Sequence, residues 1–391
     1  MNPAATLANM QTDFHPPAIP AEPEAAPSPR SRRFALRSMA GRILSATNER
    51  VRKCGHKLVG SEALICIGNG GAYVSGVETC GSVWACPVCA AKIAEGRRAD
   101  VAQCLDGHVM AGGDVYMSLF TIPHVYSEGC RALRTDIAKA WTSFIQGKAW
   151  TKARKRFGII GYIRALEVTH GGNGWHPHLH CLFLTNRLDQ GAQDAMRVWV
   201  GERWAGIVER MMGKAVNLAK GFGFQRACNL SAAGDYVVKG NVDSELTKAN
   251  HKLSKKGGRS PFQLLACAED GDHLARMLFR EYALAFKGAR HVTWSLGLRD
   301  LYIPERELTD EELAAQLMPN SGDFQVMALH RFTWSKIVRA KLIPELLTAA
   351  EQAGRSGIFE FLRGRGLALE KGIAPNVKCS GWRTNQLTEL G

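Results

Sequence analysis

An α+β fold, with a central antiparallel sheet, helices on one face and a split βαβ connectivity, is predicted by three features of the chain. The first is a hairpin: Ile159 to Thr185 (IIGYIRALEVTHGGNGWHPHLHCLFLT) reads as two β-branched and apolar strands joined at Gly171, Gly172, Asn173 and Gly174. The second is the order of elements around it, which runs strand, helix, hairpin, helix, strand. The third is a cysteine-rich segment ahead of them, too small for a core of its own and therefore expected to be held by zinc.

The flanking elements follow from periodicity. Val115–His124 (VYMSLFTIPH) reads as a buried strand that ends at Pro123. Leu133, Ile137, Ala140, Trp141, Phe144 and Ile145 recur at helical spacing, so residues 129–156 are expected to form one long amphipathic helix ending in the basic run KARKR. Gln190–Met212 predicts another helix, with Trp199 and Trp204 assigned to the core. Phe222–Leu230 is strand-like, and Ser231–Gly240 (SAAGDYVVKG) starts a helix. Two helices over Pro261–Phe286 and a short strand in RHVTWSLGLR complete the main domain. The second face of the sheet is expected to stay open for a metal and a substrate. The expected division is a disordered Ala/Pro-rich and basic tail over 1–47, a cysteine-rich segment over 48–105, the main domain over 106–300, and an accessory segment over 301–391 with an acidic helix near Thr309–Leu317.

Charge narrows the partners. The 391 residues carry 50 lysines and arginines against 36 acids, a formal charge of +14, which points to a polyanion, nucleic acid ahead of anionic membrane. No apolar run of about 18 residues is present, so no membrane partner is expected, and the first residues lack a signal-peptide core, which argues for the cytoplasm. Arg30, Arg32, Arg33, Arg37 and Arg42 form a basic arm that reads equally as a phosphate contact or a solvated, weakly helical stretch. The pairs Gly147-Lys148 and Gly213-Lys214 lack the spacing of a Walker A loop, so unwinding has to come from a host helicase, with a host polymerase behind it.

Two clusters carry chemistry. On the second hairpin strand His176, His178 and His180 project to one side and Pro177, Leu179 and Cys181 to the other, with Glu167 on the facing strand. A lone histidine there would read as a solvated face; three opposite a glutamate read as a divalent-metal site for Mg²⁺ or Mn²⁺. Upstream, Cys86-Pro-Val-Cys89 forms a C-x-x-C knuckle that Cys80 and Cys54 complete as a structural Zn²⁺ site, with His56 as a substitute ligand. A thioredoxin-like redox pair would need a βαβ context that is missing. Cys66, in the apolar run ALICIG, reads as a small buried hydrophobe, and Ala90–Leu105 as a helix exposing Arg97 and Arg98.

Tyr236 and Lys239 share a helix face, and the basic loop after them, with Lys248, Lys252, Lys255, Lys256 and Arg259, is expected to contact DNA. Tyr236 alone would read as a structural aromatic; the company it keeps changes that. A phenol with a pKa of about 10 is a poor nucleophile at neutral pH, so it needs a metal or a cation such as Lys239 beside it. Its phosphoester would keep the phosphodiester energy and allow nicking and rejoining without ATP.

From Arg52 to Arg299 the motifs resemble, in order, those of plasmid rolling-circle replication initiators of the HUH endonuclease superfamily, single-tyrosine branch. CGSVWACPVC is similar to the family's cysteine motif, FTIPH to its first motif, HPHLHCLF to its His-hydrophobic-His signature and DYVVKG to its tyrosine motif. The resemblance implies an HUH nicking-joining domain in which His178 and His180 bind the metal, Glu167 is third ligand and His176 flanks them. It also implies that Tyr236 attacks single-stranded origin DNA, leaving a 5′-phosphotyrosine and a free 3′-hydroxyl. One position departs. Initiators often carry a glutamate one turn before the tyrosine, where it can activate water to end the cycle; here Ala232 stands there, and either the nearest acid, Asp235, about 100° round the helix, substitutes for it as a catalytic group or another group ends the cycle. Related single-tyrosine transposases, a zinc-bearing DNA-binding regulator that cuts nothing, and a metal hydrolase using water are the competing readings.

Overall fold

The structure, a computed structural model, describes residues 28–68, 71–238, 258–316 and 322–367. The helix α1 (Pro29–Ile43) begins it, capped by Ser28, whose side chain accepts from the Ser31 amide. It corrects the expected tail only for its described part, from residue 28 on: Phe34, Leu36, Met39, Ala40 and Ile43 are buried, because they form an apolar stripe with a core to meet. The basic arm is accordingly packed in part. Arg37 is buried, Arg30 pairs with Asp323 and Arg32 with Glu269. After α2 (Glu49–Lys53), strands β1 (Glu62–Gly68) and β2 (Gly71–Ser75) pair antiparallel and bury Cys66. Then α3 (Pro87–Met110) runs through the expected boundary at residue 105.

The main sheet uses β3 (Asp114–Thr121), β4 (Ile159–Gly171), β5 (Gly174–Thr185), β6 (Phe222–Arg226) and β7 (Val292–Trp294). Their order is β6-β3-β5-β4-β7, all neighbours antiparallel, so the hairpin strand β5 lies at the centre. The expected single helix over 129–156 is two, α4 (Cys130–Phe144) and α5 (Gly147–Arg156). Gly147 at φ +80 makes the break, and the turn brings Trp150 onto Phe144 and Tyr162 at ring separations of 5.8 and 6.5 Å. Next, α6 (Gln190–Met212) is capped by Asp189 and stopped by Gly213 at φ +64; its Trp204 is fully buried and donates to the Thr121 carbonyl. A single turn, α7 (Leu218–Gly221), leads into β6, and α8 (Leu230–Val237) follows with Asn229 as cap.

Strand alternation divides the sheet. Phe120, Leu166, Leu179, Cys181 and Phe183 meet the aromatic side of the core with Trp141, Phe144 and Trp204. The opposite face carries Glu167, His178 and His180, and beside them Ile163, Ala165, Leu182 and Leu184. That face is open only in part. Its aliphatic end requires cover, and Val101 and Leu105 of α3 with Ala233 and Val237 of α8 supply it.

The helices α9 (Pro261–Glu269) and α10 (His273–Phe286) precede β7, and α11 (Asp310–Ala315), with a Thr309–Glu312 capping box, follows it. Arg97, expected at the surface, is buried against this last helix and bonds Glu307 and Asp310 at 2.7 and 3.0 Å. Beyond residue 322 the chain returns to its start. The strand β8 (Phe324–His330) pairs antiparallel with β1, Ile65 opposite Met327, and α12 (Arg331–Arg339) and α13 (Ile343–Gly364) pack on the same small sheet. The segment over 322–367 thus completes the sheet that the cysteine-rich segment begins.

One buried carboxylate pins the main sheet's first strand. Asp114 accepts from the Leu188 amide at 3.1 Å and the Tyr116 hydroxyl at 3.3 Å, and pairs with Arg226 of β6. Burial alone would raise its pKa, but these donors outweigh burial and hold it below the ordinary carboxylate value. A depressed folded pKa means the stabilisation is present above about pH 4 and lost as pH falls through the folded value. Asp114→Ala is expected to cost about 1–3 kcal/mol at pH 7 by leaving these donors without their acceptor. Urea melts at pH 7 and pH 3 check it: the loss should shrink at the lower pH.

Candidate metal and nucleophile site

Among the described residues, two groups bring metal-type ligand atoms within 4.8 Å of one another: Cys54, Cys80, Cys86 and Cys89, and Glu167, His178 and His180. The cysteines come from the end of α2, the loop after β2 and the first turn of α3, and all four are buried. Their sulfurs stand 3.8 Å (Cys54–Cys86), 3.7 Å (Cys54–Cys89) and 3.6 Å (Cys80–Cys89) apart. A tetrahedral ion with metal–sulfur bonds of about 2.3 Å has ligand edges of about 3.8 Å, so the cage fits one. Hydrogen bonds from Cys80, Cys86 and Cys89 pull the Cys54 thiol well below its ordinary pKa, with Arg37 adding to the effect. Burial and the Cys54 neighbour push the Cys86 thiol up. Four thiolates cannot share this space without a cation. His56 lies outside the group.

The second group is set by register. Glu167 pairs directly with His178 across β4 and β5, and Ala165 with His180, so one carboxylate meets two imidazoles on one face. Glu167 Oε2 lies 3.0 Å from His178 Nε2 and 3.1 Å from His180 Nε2. Its Oε1 is buried with no hydrogen-bond partner. His178 Nδ1 is 3.2 Å from the His176 carbonyl, a contact that requires an N–H on that nitrogen. A neutral ring then has a lone pair at Nε2, facing a carboxylate; a second proton or a cation has to lie between them. Burial would raise the Glu167 pKa, but the bonds to His178 and His180 outweigh it and hold the carboxyl well below its usual range. The orphaned Oε1 and the inward Nε2 atoms fit a divalent cation.

His176, the third histidine of the strand, lies outside that trio. Its ring lies tilted 4.9 Å from that of His124 and 5.4 Å from that of His178. His124 closes the FTIPH run, and its place beside the histidines had no periodic signal, because it follows the strand rather than lying in it.

Tyr236 reaches the same face from α8. Ala233 and Val237 bury against the aliphatic end of the sheet, and this docking turns the phenol edge-on to His180, ring centres 4.4 Å apart and planes at 90°. Burial, then the nearby Cys181 and Glu167, push its pKa up. Asp235 faces elsewhere: it pairs with Arg98 of α3 at 2.8 Å, and Arg98 also reaches the Val238 carbonyl. Arg259 forms a backbone bridge to His170 and pairs with Asp272 at 3.3 Å. Lys239 and the loop lysines Lys248, Lys252, Lys255 and Lys256 lie outside the described residues.

An antiparallel sheet that presents Glu167, His178 and His180 with a phenol against them, in a chain that also gathers four cysteines, defines an α+β protein with two groups that could hold a metal ion. Residues 73–189 match the family model described as replication protein, a span that holds Glu167, His178 and His180 and stops short of Tyr236. "Protein rep" of Streptomyces lividans is 27% identical over 361 residues, covering 74% of this chain and 78% of that protein. "Neomycin resistance protein" of Streptomyces cyanogenus is 32% identical over 154 residues, 33% of this chain and 35% of that protein. No solved structure matches. No helix among the described residues is long and apolar enough to cross a membrane.

Proposed function

We propose that the chain is a plasmid replication initiator that nicks and rejoins single-stranded origin DNA through Tyr236. The observation that carries this is the phenol held 4.4 Å from His180, one of three ligand-type residues on a single sheet face. Mg²⁺ or Mn²⁺ held by Glu167, His178 and His180 would polarise a phosphodiester oxygen and offset its developing charge.

The chain's own residues do the rest. The Tyr236 oxygen bonds to phosphorus as the bond to the 3′-oxygen breaks; the phenol gives up its proton and the departing oxygen gains one. The products are a 5′-phosphotyrosine and a 3′-hydroxyl, which a polymerase extends. A later 3′-hydroxyl reverses the exchange and frees Tyr236. Because burial disfavours the phenolate, the reaction depends on positive charge brought to this face, and Lys239, three residues on, is the proposed protein donor of it. Arg259 and the lysines of the 248–256 loop are proposed DNA contacts. Asp235, committed to Arg98, is poorly placed to activate water, so the cycle is proposed to end by strand joining. Zn²⁺ is the ion proposed for the four-cysteine cage, in a structural role.

The test is a covalent-adduct gel. Single-stranded DNA from the chain's own replicon is incubated with the protein and Mn²⁺, and a band that resists denaturation is expected, disappearing with chelator. Glu167→Ala should lower adduct formation by about 10–100-fold at limiting Mn²⁺, with partial recovery at high Mn²⁺. An adduct as strong in Glu167→Ala, or one indifferent to chelator, would sink the assignment of this carboxylate.

A further inference from the structure

A second charged site lies away from the Glu-His-His face, on residues that the nuclease reading leaves unused. The helices α1 and α2 and the turn between α12 and α13 enclose a cavity of about 320 Å³. Arg37, Arg42, Arg52, His56, Arg339 and Lys341 are among its lining residues, and no carboxylate is. Arg37 is the buried cation of this set. That residue is 3% exposed, yet its Nη2 is buried with no hydrogen-bond partner. A buried guanidinium nitrogen without an acceptor is costly; the nearby Cys54 sulfur answers part of the Arg37 charge, and an oxyanion would supply the acceptor that Nη2 lacks. The placement is built. A Cβ at Gly55 would fall 2.0 Å from Arg37 Nη1, so the head group occupies room that only a glycine leaves. The rim is built too. Lys341 is the one described non-glycine residue with positive φ, at 59°, held by its amide bond to Val338 and that of Leu342 to Ile337. The indole of Trp334 donates to the His56 carbonyl at 3.1 Å, tying α12 to the cysteine-rich segment and fixing both walls of the cavity together.

We infer that this cavity is a second, non-catalytic phosphate site, which grips the DNA backbone while the Glu-His-His face handles the scissile phosphate. The choice of DNA rests on the function proposed above; the oxyanion chemistry does not. Backbone phosphates have the charge and the spacing to engage Arg37 and the rim cations at once, and the contact is independent of sequence. The segment over 322–367, which contributes Arg339 and Lys341, thereby acquires a DNA-holding role.

Salt titrations of the full-length, zinc-loaded chain test it. The probes are a 30-base-pair duplex and a 30-nucleotide single strand of arbitrary sequence. The double variant Arg339→Gln with Lys341→Asn keeps the left-handed turn, since asparagine tolerates it. Its affinity should fall about tenfold, and its plot of log K against log salt should flatten by about 1–2, each duplex phosphate contact contributing about 0.9 and each single-strand contact about 0.7. Ser45→Glu, at an exposed position on the cavity wall, should reproduce the loss by repulsion without replacing Arg37. A drop confined to one probe identifies the strand form and supports the site. Unchanged affinity and slope in both variants, each melting like the parent, overturns it. So does a loss only of stabilisation by inorganic phosphate. A parent chain that forms no tyrosine adduct but keeps the variant-sensitive slope defeats the nicking proposal and leaves this one standing.

Discussion

Tyr236→Phe is expected to abolish the covalent DNA adduct while leaving the fold as it is. The substitution removes one oxygen from a ring whose packing against His180 and the aliphatic end of the sheet is otherwise kept. Stability should therefore change by no more than about 1 kcal/mol. Cleavage should fall by at least about a thousandfold, because no neighbouring group among the described residues supplies an equivalent nucleophile. The result separates the competing chemistries. Cleavage that persists in Tyr236→Phe means water attacks, as in a hydrolase. No cleavage by the parent protein on any origin strand means a DNA-binding regulator. An adduct lost with the hydroxyl leaves the replication initiator and its transposase relatives, which the fate of the free 3′ end distinguishes.

The second large effect is expected at the tetrathiol cage. Cys86 is fully buried and its sulfur lies 3.8 Å from that of Cys54, so Cys86→Ser removes a ligand from the centre of the cage. Structural zinc in small cages contributes about 10–16 kcal/mol of apparent binding free energy at pH 7, and three remaining thiols hold the ion far less well. The cage joins α2 to α3, and α3 covers the aliphatic end of the face that carries Glu167, His178 and His180, so the damage should reach Tyr236 as well. We expect the variant to lose about one zinc per chain, to melt well below the parent, and to nick poorly even with excess Mn²⁺. Full zinc content and an unchanged melt would remove zinc from the account of the fold.

Local patterns were legible from the chain alone. The hairpin follows from a two-residue period and a glycine-rich bend, which is why Glu167 is expected on the strand facing the histidines; the register that pairs it with His178 comes from the structure. The four cysteines were legible for the same reason, since ligand spacing is a short-range property. What stayed hidden depends on partners far along the chain. Arg97 looks like a surface residue of a helix until Glu307 and Asp310 come back to it across some two hundred positions. The β1–β8 pairing, likewise, has no signal in either strand, because an edge records its own alternation and not its neighbour. The break at Gly147 was outvoted by the apolar spacing on both sides of it, and Asp235 could not be read as a tether for α8 without knowing that α3 lies alongside.

The position of β5 has a mechanical consequence. Laddered on both flanks, the histidine-bearing strand is the least yielding part of the sheet, while Tyr236 rides on a two-turn helix whose described fastenings include aliphatic packing, the Asp235–Arg98 pair and the Arg98 bond to the Val238 carbonyl. For the proposed nicking and joining, in which a covalent end is held through a round of synthesis and then returned, this contrast gives one firm half and one more lightly fastened. Here the anvil is the strand and the hammer is the helix.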